Sequence, residues 1–154
     1  MNAETLNRNL AIVAAERRQL WQNGFRPVAL HSNDKRPFGD AWQDRARQNP
    51  PEALTAQPRP AALNTGILCD GLRPVDIDVD DPAVAERMEA LAVRMLGAAP
   101  CRWRGNSGRR VLLYRADEGE PGKRVLTSNL GKVEILAARR TYGADPAWVD
   151  SEGS

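Results

Sequence analysis

Asp76, Asp78, Asp80 and Asp81 place four carboxylates within six residues. The string Arg73-Pro74-Val75-Asp76-Ile77-Asp78-Val79-Asp80 alternates apolar and acidic residues, the period-2 pattern of a half-buried strand. Valines and isoleucine face one way and three aspartates the other. Asp76 and Asp78 then stand about 7 Å apart on one face. Carboxylates at that separation can each reach a divalent ion, and two-metal sites hold ions about 3.5–4 Å apart. Oxygen-only ligands favour Mg²⁺ or Mn²⁺ over zinc. The competing reading is a solvated acidic strand face with no function. Like charges on one face repel, so three aspartates weaken a strand unless a cation or basic side chains neutralise them. An EF-hand is rejected. Its loop needs glycine at position six and glutamate at twelve, and counting from Asp76 these are Asp81 and Arg87.

Two other segments hold residues suited to chemistry. Arg102-Trp103-Arg104-Gly105-Asn106-Ser107-Gly108-Arg109-Arg110 offers four arginines, two glycines and a serine. Glycine lets a backbone approach phosphate, and guanidinium groups bind its oxygens bidentately. A solvated basic turn is the alternative, and no Walker string is present. Glu134, in Lys132-Val133-Glu134-Ile135-Leu136, is a lone acid in an apolar strand, either solvent-facing or a third ligand.

These residues need a scaffold, and the chain is long enough to supply one. Its 154 residues carry 22 basic and 20 acidic side chains, for a net charge of +2. That small excess excludes a histone-like polycation. No run approaches the roughly 20 apolar residues of a membrane span, and the first residues lack a secretory h-region. A single histidine, His31, argues against a multi-histidine zinc site. Cys69 and Cys101 lack metal-ligand spacing, so a cytoplasmic chain with reduced thiols is expected, with one disulfide as the alternative.

Helical spacing runs over residues 3–22, with Gly24 as the expected cap. Strands are expected at 27–30, 65–68, 73–80, 110–115 and 133–136, and a loop at 31–42. A short helix opens at Pro50-Pro51-Glu52. Asp81-Pro82 starts another helix, with Val84, Met88, Leu91, Met95 and Leu96 as its apolar stripe and Gly97 as its stop. Residues 117–123 read as an exposed turn. The plan is α+β (α/β), a central mixed or antiparallel sheet flanked by helices. Residues 138–154 show no period and read as an irregular C-terminal tail.

The order of segments resembles the N-terminal domain of bifunctional DNA primase–polymerases, of the archaeo-eukaryotic primase superfamily found in prophage and plasmid replication proteins. Gly24-Phe25-Arg26-Pro27-Val28-Ala29-Leu30, Lys35-Arg36-Pro37-Phe38-Gly39 and Trp42 resemble its opening. Asn64-Thr65-Gly66-Ile67 precedes Val75-Asp76-Ile77-Asp78, which is similar to its D-x-D motif. Gly97-Ala98-Ala99-Pro100 and Leu112-Leu113-Tyr114-Arg115 resemble a prophage subgroup, and Lys132-Val133-Glu134-Ile135-Leu136 resembles the strand of the third carboxylate.

The resemblance implies a primase–polymerase, RRM-like core over residues 1–137 and metal-dependent nucleotidyl transfer in DNA replication. It implies that Asp76, Asp78 and Glu134 hold two Mg²⁺ or Mn²⁺ ions. Arg109, Arg110, Ser107 and Lys35 would bind nucleotide. Partners would be nucleoside triphosphates, a DNA template and primer, and a separate helicase, with no membrane. Ser107-Gly108-Arg109-Arg110-Val111 lacks the histidine common in the family's basic motif, leaving Arg109 as its substitute. Ala137-Ala138-Arg139-Arg140-Thr141-Tyr142-Gly143 replaces the usual Gly-rich strand and His-Pro segment, as in a shortened or diverged member. A degenerate nucleotide- or nucleic-acid-binding module and a metal-dependent nuclease are the alternatives.

Overall fold

The computed structural model describes residues 2–103, 107–116 and 122–136. Within the stretch expected as one domain, contacts fall into two compact units that meet in sequence between Leu68 and Cys69. The expected tail, 138–154, lies outside the described residues, as does most of the 117–123 turn.

The first unit holds helix α1 (Ala3–Gln22), strand β1 (Pro27–Leu30), short helices α2 (Trp42–Ala46) and α3 (Glu52–Thr55), and strand β2 (Asn64–Ile67). Asn2 caps α1 through its side-chain oxygen, which accepts from Thr5 N at 2.8 Å. The two strands pair antiparallel, Pro27 opposite Ile67 and Leu30 opposite Asn64. Val28, Leu30, Ala46 and Leu68 form the core, with Trp42 packed against them. Arg17, on the apolar stripe of α1, is only 2% exposed. Its Nε donates to Thr65 Oγ1 (3.0 Å), and Nη2 donates to the carbonyls of Ala62 (2.8 Å) and Asn64 (3.0 Å). Burial lowers its pKa to about 10, and the hydrogen bonds make the desolvated charge tolerable.

The second unit holds strand β3 (Val75–Asp78), helix α4 (Pro82–Leu96) and strands β4 (Cys101–Trp103), β5 (Arg110–Leu112), β6 (Arg124–Ser128) and β7 (Gly131–Ile135). They form one sheet in the order β4-β5-β3-β7-β6, with every neighbouring pair antiparallel. The α+β class holds, and the sheet is antiparallel rather than mixed. Strands β4 and β6 carry no strong alternation, and only tertiary pairing reveals them.

Asp81 caps α4 as its sequence demands: its Oδ1 accepts from Ala83 N (2.9 Å) and Val84 N (3.2 Å), with Pro82 in the first turn. The helix covers one face of the sheet. Val75, Ile77, Val79, Val84, Ala85 and Leu112 form the core, with Met88 and Ala92 packed beside it. The expected stripe is corrected over its second half, where Leu91 is 40%, Met95 73% and Leu96 58% exposed. Fifteen helical residues run about 22 Å, whereas four strand residues run about 13 Å, so the helix outlasts the strand beneath it. Cys69 is buried and Cys101 exposed, and both are free thiols. Among the described residues, no helix is long and apolar enough to cross a membrane.

Candidate active site on the acidic face of the sheet

The alternation of β3 sends Val75 and Ile77 into the α4 core and Asp76 and Asp78 to the opposite face. β3 is the central strand, so residues directly across from its aspartates on β5 and β7 share that face. On β7, Glu134 is the cross-strand partner of Asp76, and Lys132 is the partner of Asp78. Directly opposed residues have Cβ atoms about 4.5–5.5 Å apart, and diagonal ones are about 7–8 Å apart. Asp76, Asp78 and Glu134 are therefore three neighbours on one face. On β5, Val111 lies opposite Asp76 and supplies an apolar border.

Cations run through this acidic cluster. The Lys132 ammonium stands 3.7 Å from Asp78 Oδ2 and 3.5 Å from Glu134 Oε1, bridging the two. Lys123 Nζ lies 3.6 Å from the same Glu134 oxygen. Arg109 Nε is 2.9 Å from both Asp78 Oδ1 and Asp80 Oδ1, and its single hydrogen is donated to Asp80. That bond, then the charges of Asp78 and Asp80, raises the arginine's pKa. Asp78 Oδ1 is closed to solvent and, among the described residues, accepts no hydrogen bond, despite the nearby guanidinium. A buried carboxylate oxygen without a hydrogen bond is a costly arrangement, and a further cation would relieve it.

The fit to a divalent ion can be judged from this. The donor set is all oxygen, and Asp78 Oδ1 has an unused acceptor position. Yet no group of three His, Cys, Asp or Glu side chains among the described residues is arranged to hold a metal as it stands. The Lys132 ammonium is the stand-in cation between Asp78 and Glu134. Oxygen donors of this kind would suit Mg²⁺ or Mn²⁺, and Lys132 would compete with either ion for Asp78 and Glu134.

The basic segment divides between the two faces. Arg110 lies opposite Ile77 and so points to the helix side. There it pairs with Glu89 of α4, sits over the Trp103 ring with its guanidinium carbon 6.0 Å from the centroid, and is 11% exposed. The expectation that Arg110 contacts a triphosphate beside the aspartates is corrected: cross-strand register puts it through the sheet. Arg109, one residue earlier, reaches the acids. Ser107 Oγ accepts from Arg109 N at 3.2 Å and shapes the turn. Arg104, Gly105 and Asn106 lie outside the described residues. Lys35 belongs to the first unit, where its backbone N–H donates to Asp34 Oδ1 at 2.6 Å.

Gly108 is also required by close backbone packing. A Cβ there would stand 2.9 Å from the carbonyl oxygens of both Val79 and Asp80. Gly131, at φ +135°, would place a Cβ 2.6 Å from the Asp78 carbonyl oxygen. Two glycines thus let neighbouring segments close on the end of β3 from either side. Lys132 and Lys123 were not singled out from the sequence. Lys132 lies two residues before Glu134, so strand alternation alone puts both on one face.

An antiparallel sheet with a helix on one side, and paired carboxylates and cations on the other, defines an α+β domain with one ionic face. A family model described as bifunctional DNA primase/polymerase, N-terminal, matches residues 17–153, and the chain belongs to that family. The match extends beyond residue 137, where the recognisable motifs stop. No curated protein and no solved structure matches the chain.

Proposed function

We propose that the chain is the nucleotidyl-transfer module of a DNA primase or polymerase, acting on nucleoside triphosphates and a DNA primer–template. The observation that carries this reading is the pairing of Glu134 with Asp76 across β7 and β3, with Asp78 on the same face. Membership of the primase/polymerase family supports it and implies interaction with nucleotide and DNA.

In this reading Asp76, Asp78 and Glu134 supply ligand oxygens to two Mg²⁺ or Mn²⁺ ions. Such ions, when bound, would lower the pKa of the primer 3′-hydroxyl and offset charge on the triphosphate. The protein's own groups do the rest. Arg109 presents a guanidinium at the Asp78–Asp80 end, where it can bind phosphate oxygens bidentately. The packed Val75 and Ile77 hold the carboxylate-bearing strand rigid. A separate helicase would open the template.

The test is primer extension on a DNA template with Mg²⁺ or Mn²⁺, using the wild type and Asp76→Asn. Template-dependent extension lost in the variant supports the reading. Nucleotide binding without extension would identify a binding module instead, and degradation without extension would identify a nuclease.

A further inference from the structure

Lys132 occupies an unusual place among the cations of the acidic face. Arg109 serves Asp78 and Asp80, and Lys123 serves Glu134. Lys132 touches two of the three candidate ligands at once, at 3.7 and 3.5 Å. Its backbone is held in register opposite Asp78, so the ammonium is delivered between the acids by the fold itself. Its four-carbon stem is flexible, and a lysine ammonium is a mobile point charge rather than a fixed fork. The side chain is 39% exposed, which leaves room to leave the bridge.

We propose that Lys132 is an internal counter-ion that makes metal entry depend on nucleotide. With no nucleotide present, the ammonium satisfies Asp78 and Glu134, and a divalent ion must displace it. Four carboxylates, those of Asp76, Asp78, Asp80 and Glu134, already share the face with Arg109, Lys123 and Lys132, and with Arg102 of β4, which register places opposite Val111, so divalent ions alone would turn the cluster strongly positive. A triphosphate reverses that balance. Its oxygens receive the released ammonium while the carboxylates take the ions. The two ligands therefore bind cooperatively, and by linkage each strengthens the other by the same factor. This inference rests on the metal-binding reading above and adds to it the order of preference: metal–nucleotide before metal.

The experiment is titration of Mn²⁺ into the full chain, followed by the electron paramagnetic resonance signal of free Mn²⁺. It is run with and without a non-hydrolysable nucleoside triphosphate, corrected for Mn²⁺ bound by that nucleotide. In the wild type, nucleotide should tighten Mn²⁺ binding by about tenfold or more. Lys132→Met should bind Mn²⁺ alone about tenfold more tightly than wild type and lose most of the nucleotide effect. Lys132→Arg keeps the charge and should keep the weak binding of Mn²⁺ alone. If the Met variant does not fold by its melting curve, Lys132→Gln takes its place. Wild-type binding of Mn²⁺ with nucleotide, combined with no gain for Mn²⁺ alone in the variant, overturns the counter-ion role and leaves the functional reading standing. Absence of Mn²⁺ binding to the wild type under both conditions overturns both.

Discussion

Asp76 and Glu134 are direct cross-strand partners on β3 and β7. Two carboxylates in that register repel, and a strand pair keeps them only with cations close by. Lys132 and Lys123 provide that neutralisation at Glu134. The arrangement makes the acids costly for stability and valuable for ion binding, which gives mutations here opposite signs in two assays.

Glu134→Gln and Asp76→Asn should each reduce template-dependent extension by about a thousandfold. Loss of a ligand to a catalytic ion removes several kcal/mol of charge stabilisation in the transition state, and each 1.36 kcal/mol is tenfold in rate. The folded state should hold or gain slightly, since a repulsion is relieved. Single-turnover extension and a urea melt of the same variants check both signs.

Mn²⁺ added together with nucleoside triphosphate should raise the melting temperature of the wild type. At a hundredfold excess over the dissociation constant, the linkage is worth about 2.7 kcal/mol, or about 5–10 °C for a chain of this size. Asp78→Asn should lose the response. A wild-type melting temperature indifferent to the combined ligands would count against the site.

The glycines beside β3 predict a stability contrast. Gly108→Ala and Gly131→Ala each force a Cβ against backbone oxygen and should cost about 1–3 kcal/mol. Gly122→Ala meets nothing within 4 Å and should be close to neutral. Urea unfolding of the three variants makes the comparison, and equal midpoints would contradict the close approach.

Adjacent arginines should separate cleanly. Arg110→Ala strips Glu89 of a half-buried, charge-assisted partner and should lower stability by about 2 kcal/mol. Arg109→Ala loses an exposed pair worth little to folding, but should weaken triphosphate binding about tenfold. Melting curves and nucleotide titrations of both variants give the two readouts. A binding defect confined to Arg110→Ala would reverse the assignment of faces.

Much of this was legible in residue order. The alternation from Val75 to Asp80 determined which side chains of β3 enter the core, because successive strand residues must point to opposite faces. Asp81-Pro82 determined where α4 begins, since a carboxylate cap and a proline need only their own local backbone. The motif series around Asp76, Asp78 and Glu134 was enough to mark the family. Tertiary structure decided the rest. Of Arg109 and Arg110, one had to go to each face, and only pairing with β3 assigned Arg110 to Glu89 and Arg109 to the acids. Likewise, alternation placed Lys132 and Glu134 together, but the β3–β7 register set them against Asp78 and Asp76. Strand periodicity is local, and one residue repeats it without knowledge of its neighbours. Register is a long-range match between strands more than fifty residues apart, chosen by the burial of whole apolar rows in the sheet.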